Sequence, residues 1–185
     1  MLLTSCTNNS IENNLNDIPL QKLSSKETGI DFSNTITPNL ETKENLFDYD
    51  YFYNGSGVGI ADINNDGLKD VFFTSNQTRN KLYLNKGELK FEDITEKSNI
   101  NQNKGWSSGV TFADVNNDGW LDIYISQGGP FNQTKRKNTL LINNKDLTFT
   151  ENAGLYGLDD QGISTQSAFF DFDKDGDLDC VVMNE

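Results

Sequence analysis

Three stretches of the chain overlay without a gap: SGVGIADINNDGLKDVFFTSN (56–76), SGVTFADVNNDGWLDIYISQG (108–128) and TQSAFFDFDKDGDLDCVVMNE (165–185). Their first loop aspartates, Asp62, Asp114 and Asp171, lie 52 and 57 residues apart. A second motif recurs between them, NKLYLNKGELKFEDIT (80–95) and NTLLINNKDLTFTENA (138–153), with Asn80 and Asn138 separated by 58 residues. The tracts NQT (76–78) and NQT (132–134) occupy equivalent connecting loops, 56 residues apart. Such a repeat constrains the fold strongly, because a unit this short can bury its apolar faces only against copies of itself.

Each full unit contains four short segments rich in β-branched and aromatic residues, separated by turn residues. In the first unit they fall near 56–62, 69–75, 80–85 and 89–94, with Lys86-Gly87 as a hairpin turn. In the second they fall near 108–114, 121–127, 138–143 and 147–152, and a third unit supplies two segments. Helical patterning is confined to short hints near 21–26 and 95–99. The expected fold is all-β. It consists of propeller-type blades, each a four-stranded antiparallel sheet, about two and a half of them from a larger closed ring. The units run over about 50–104, 105–160 and 161–185, within a repeat region of 28–185 preceded by a polar tether over 1–27. On this reading the chain is a segment of a longer protein at both ends.

Every unit carries D-x-[DN]-x-D-G-x-x-D. The residues are Asp62, Asn64, Asp66, Gly67 and Asp70; Asp114, Asn116, Asp118, Gly119 and Asp122; and Asp171, Asp173, Asp175, Gly176 and Asp179. Calcium takes six to eight hard oxygen ligands, and side chains at positions 1, 3 and 5 converge when the backbone curls around an ion. Glycine at position 6 permits the left-handed turn. Position 7 (Leu68, Trp120 or Asp177) offers its carbonyl, and the aspartate at position 9 closes the shell. An EF-hand would need Glu at position 12, which is Phe73, Ile125 or Val182 here, and helices on both sides. Magnesium suits the pattern less well, since it keeps its waters and a tighter octahedron. About three Ca²⁺ are therefore expected, one per acidic loop. They would reduce the net charge from −13 to −7. One such loop could equally be an ordinary Asx turn, since Asn, Asp and Gly favour turns without any metal. Three in one frame favour the metal.

The net charge of −13 disfavours nucleic acid as a partner, and the absence of His excludes Ser/His or Cys/His nucleophilic catalysis. No apolar run is long enough to span a bilayer. Cys180, inside LDCVVM, reads as a small buried hydrophobe. Cys6, in MLLTSC, resembles a bacterial lipobox cysteine and is the candidate lipidation site, although the basic and apolar regions of a signal peptide are not visible before it. Membrane association would then run only through that anchor. The aromatic run FDYDYFYNG (47–55) reads more simply as strand core and edge than as a sugar-stacking platform, and Trp106 and Trp120 read as packing residues.

The blade sequences GVGIADINNDGLKDVFF, NKLYLNKGELKFEDIT and GWSSGVTFADVNNDGWLDIYIS resemble the FG-GAP/VCBS repeat found in the integrin α-subunit propeller. They are similar, more closely, to bacterial members of the cartilage acidic protein family, which often carry a C-terminal ASPIC/UnbV segment. The resemblance covers about 28–185. It implies a propeller of about seven blades, Ca²⁺ in the loop joining the first two strands of a blade, and an exported protein. The expected role is a non-catalytic binding or adhesion scaffold with structural Ca²⁺, on a bacterial cell surface through a lipid anchor or secreted, with a glycan or protein ligand. The alternative is the propeller domain of a polysaccharide lyase or hydrolase whose catalytic residues lie outside this chain.

Overall fold

The computed structural model describes residues 21–100, 105–130 and 136–185. Cys6 and the greater part of the expected tether lie outside the described residues. Strands β1 (Val58–Ala61), β2 (Asp70–Phe73), β3 (Lys81–Asn85) and β4 (Phe91–Asp93) form one antiparallel four-stranded sheet in sequential order. Strands β5 (Trp106–Ala113), β6 (Asp122–Gly128), β7 (Thr139–Asn143) and β8 (Phe149–Glu151) repeat it. Strands β9 (Ser164–Phe170) and β10 (Asp179–Asn184) pair as a two-stranded sheet. The expected all-β architecture of blade-like sheets is what the chain adopts, with strand ends within about two residues of those read from the sequence. Among the described residues three single-turn helices interrupt it, α1 (Ser25–Thr28), α2 (Thr95–Ser98) and α3 (Ala153–Tyr156). The first is closed by a capping box between Ser24 and Glu27, within the segment expected to be tether.

The hairpin between β3 and β4 is wider than a two-residue turn. Lys86 N–H donates to the Lys90 carbonyl, and Gly87, Glu88 and Leu89 all have positive φ. The β7–β8 connection repeats this, with Asn144 N–H on the Thr148 carbonyl.

The sheets stack face to face. Phe72, Leu82 and Leu84 from the first sheet meet Val110, Ile123, Ile125, Leu141 and Phe149 of the second. The opposite face of the second sheet, with Tyr124 and Leu140, packs against Phe169, Cys180 and Val182 of the third. Alternation along β6 therefore sends Ile123 and Ile125 one way and Tyr124 the other, and all seven of its residues are buried. That is why DIYISQG lacks the polar alternation of a half-solvated strand. Cys180 is a half-buried free thiol in this second layer, and burial raises its pKa.

The first strands of the units, β1, β5 and β9, lie side by side, and their backbones approach closely. A Cβ on Gly57 would stand 2.7 Å from the Ser108 carbonyl oxygen, and one on Gly109 would stand 2.5 Å from that of Thr165. Gly57 and Gly109 are equivalent positions of the repeat, as are Ser108 and Thr165. Glycine at this register lets one unit's inner strand settle on the next. Hydroxyls then stitch the strands: Thr74 Oγ1 donates to the Ser108 carbonyl at 2.7 Å, Ser108 Oγ to that of Ser164 at 2.6 Å, and Thr111 Oγ1 to that of Ser167 at 2.9 Å.

Candidate metal centres

Each acidic loop joins the first two strands of its sheet, at the end of β1, β5 or β9. The backbone takes a left-handed conformation twice in each loop, at Asn65 and Gly67, at Asn117 and Gly119, and at Lys174 and Gly176. The carboxylate at position 1 fills the resulting hollow. Asp62 accepts from Asp66 N–H at 3.2 Å and Gly67 N–H at 2.8 Å, and Asp114 from Asp118 N–H at 2.9 Å and Gly119 N–H at 2.7 Å. Asp171 accepts from Lys174 N–H at 2.7 Å and Gly176 N–H at 3.2 Å. At position 5, Asp66, Asp118 and Asp175 each accept from the N–H two residues on. These bonds hold the loop curled, which would reduce the ordering cost of gathering like charges.

The loops differ in how far their acids converge. Carboxylate oxygens of Asp171, Asp173 and Asp179 lie within 4.8 Å of one another, the one group among the described residues drawn together so closely. In the first two loops Asn stands where the third has Asp173, so each holds three aspartates, against five in the third. The oxygen-only donor set fits a hard divalent cation such as calcium. Lys145 Nζ sits 3.2 Å from Asp118, where it would compete with an ion in the second loop. Burial opposes ionisation of Asp118, but the Trp120 N–H and Lys145 outweigh it and lower its pKa. Asp66 is lowered mainly by the Leu68 N–H, and Asp175 by the Asp177 N–H. Asp177 is raised by its hydrogen bond to Asp175 and by repulsion from it.

Position 9 has a second role that the sequence reading missed. Asp70 and Asp122 are each 1% exposed. Asp70 accepts from Ile63 N–H at 3.0 Å and from Asn85 N–H at 2.8 Å. Asp122 accepts from Val115 N–H at 3.1 Å and Asn143 N–H at 2.8 Å. Each carboxylate thus ties its loop to the end of the third strand. Asp179 keeps the loop half of this arrangement, with Phe172 N–H at 2.8 Å. Burial raises Asp70, and lifts Asp122 to about 6 even against its two N–H donors. The partner asparagines were visible in the repeat as the final residue of NKLYLN and NTLLIN. Asn85 Nδ2 donates to the Lys69 carbonyl, and Asn143 Nδ2 to the Leu121 carbonyl. Asn143 also reaches the Ile63 carbonyl at 2.8 Å, and Asn65 Nδ2 reaches that of Gly119 at 3.0 Å, so the first loop is fastened to the second unit. Leu68 and Trp120, at position 7, have their N–H groups engaged by Asp66 and Asp118.

The run 47–55 is a series of turns rather than a strand, with Phe52 N–H on the Tyr49 carbonyl and Asn54 N–H on that of Tyr51. Phe52 is fully buried beside Trp106, while Phe47 is 91% exposed. No helix among the described residues is long and apolar enough to cross a membrane.

Residues 62–125 match the family model described as FG-GAP-like repeat. The chain is also similar to cartilage acidic protein 1 of Xenopus tropicalis, with 33% identity over 86 residues, which is 46% of this chain and 13% of that protein. Cartilage acidic protein 1 of Homo sapiens is 31% identical over 77 residues, 41% of this chain and 12% of that protein. The matched part therefore spans about an eighth of these relatives' lengths.

Proposed function

We propose that this FG-GAP repeat region is a calcium-stabilised, non-catalytic binding scaffold. Its full setting would be a bacterial surface lipoprotein anchored at Cys6, or a secreted protein, that presents its connecting loops to a glycan or protein ligand. The observation that carries the calcium reading is the convergence of Asp171, Asp173 and Asp179, in a loop whose backbone conformation recurs in the two preceding units. Asp171, Asp173, Asp175 and Asp179 would hold the ion in the third loop with the Asp177 carbonyl. Asp62, Asn64, Asp66 and Asp70 with the Leu68 carbonyl would do so in the first, and Asp114, Asn116, Asp118 and Asp122 with the Trp120 carbonyl in the second. Bound calcium would neutralise carboxylates crowded at the bottom of each sheet and fix the turn between its first two strands. Those turns in turn set how adjacent sheets pack. The ion's role would be structural, since each position-9 carboxylate accepts a backbone N–H from its own loop and so would tie the ion to the turn.

Calorimetric titration with CaCl₂ tests this. Wild type should bind more than one equivalent, tightest at the third loop, and Asp173→Asn, which gives that loop the Asn the other two carry, should weaken the tightest event toward the others while leaving them unchanged. A flat titration of wild type, or an Asp173→Asn titration that superimposes on it, would reject the assignment.

A further inference from the structure

A cavity of about 310 Å³ lies at the end of the inner strands opposite the acidic loops. Strand β5 runs from Trp106 at its wall to Ala113 beside Asp114, a span of roughly 25 Å at about 3.3 Å per residue, so the cavity and the loops are separate places. Three units build it: the turn segment before β1, the start of β5 and the start of β9. Its volume is at the lower end of the range for small-molecule sites, about 300–1,000 Å³.

One wall is aromatic and rigid. Trp106 is 3% exposed, packed against fully buried Phe52 at 5.5 Å and edge-on to Tyr49 at 5.9 Å. Tyr51 stands on this base, 5.8 Å from Tyr49, and leaves 44% of its surface open. The rest of the lining includes amide and hydroxyl groups, Asn54, Ser108 and Gln166 among them, and one charged residue, Glu185. No Lys or Arg is among the lining residues, and the chain carries a charge of −13. An anionic ligand would meet no counter-charge and a repulsive field. A wholly apolar ligand would strand the amides and hydroxyls without partners. A ligand with one C–H-rich face and many neutral hydroxyls satisfies both walls.

We propose that this cavity binds a neutral saccharide unit, stacked on Tyr51 and hydrogen-bonded by Asn54 and Gln166. The proposal deepens the binding-scaffold reading above and rests on it. Its geometry keeps the sugar away from the acidic loops, so no sugar hydroxyl coordinates their metal.

The test uses the intact chain in CaCl₂ and a panel of neutral oligosaccharides of glucose, galactose, mannose and N-acetylglucosamine, with a uronate and a sulfated oligosaccharide as anionic probes. Trp fluorescence and calorimetry read binding, and thermal melting with and without chelator reads the scaffold. At least one neutral probe should bind with Kd below about 1 mM. Tyr51→Ala and Asn54→Ala, both at exposed positions, should each weaken it at least about tenfold with the melting temperature unchanged. Two results would overturn the proposal: no neutral probe binding at about 10 mM, or binding that neither variant affects. Preference for the anionic probes would overturn it equally. If calcium still raises the melting temperature in those cases, the scaffold reading survives alone. Tyr51-dependent sugar binding with no calcium effect on melting would retain the cavity and reject the calcium reading.

Discussion

Asp122 and Asp177 belong to equivalent acidic loops and carry opposite liabilities. Both oxygens of Asp122 accept backbone N–H groups in a buried place, so Asp122→Asn turns an amide NH₂ toward one of those donors. That change should destabilise the fold by about 1–3 kcal/mol, read as a lower melting temperature even in chelator. Asp177 is exposed and repelled by Asp175, so Asp177→Asn should leave the melt unchanged or raise it, and should spare calcium binding because only the carbonyl is required there. Asp122 also sets a pH dependence. Its folded pKa of about 6 stands above the ordinary 3.8, so between those values the folded chain keeps a proton that the unfolded chain has released. Its contribution to stability is complete below about pH 4 and is lost as pH rises through about 6. In chelator, melting temperature should therefore fall from pH 5 to pH 7, and calcium, which needs the ionised carboxylate, should protect more at pH 7. A slope that Asp122→Asn leaves intact would assign the effect elsewhere.

At the scale of strands and loops, the repeat in the sequence was enough to place four segments in each full unit, two in the third, and the acidic turns. Its period marks where each unit must return to the same register. The sequence could not show that Gly109 packs on another unit's backbone, because that contact depends on how two units settle together. Gly109 is the clearest case. A Cβ there meets the Thr165 carbonyl at 2.5 Å, and that oxygen belongs to a paired strand that cannot move far. Gly109→Ala should lower stability by about 1–3 kcal/mol, measured by denaturant unfolding, whereas Gly87→Ala meets no neighbour and acts only through its positive φ. The role of Asn85 and Asn143 was present as a repeated letter, but its meaning required the buried carboxylates of Asp70 and Asp122. The turn segment 47–55 was misread as strand because aromatic alternation imitates a strand pattern, while its backbone is spent on short-range turn bonds.

For the molecule as a whole, the first two units are one interlocked body. Their shared core runs from Phe72 and Leu82 to Ile123 and Leu141, and Asn143 and Asn65 carry polar bonds across the same interface. Ile123→Ala should cost about 2–5 kcal/mol and weaken both units together, giving one transition rather than two. The metal would act at the same scale, since curled loops at the same end of adjoining sheets hold most of the chain's clustered acids. The most direct measurement is the melting temperature of the chain in chelator, after CaCl₂ is added back, and in Asp173→Asn. A structural role for calcium predicts a melt that chelator lowers, that calcium restores in wild type, and that calcium restores less fully in the variant. Superimposable melts in chelator and calcium would contradict it.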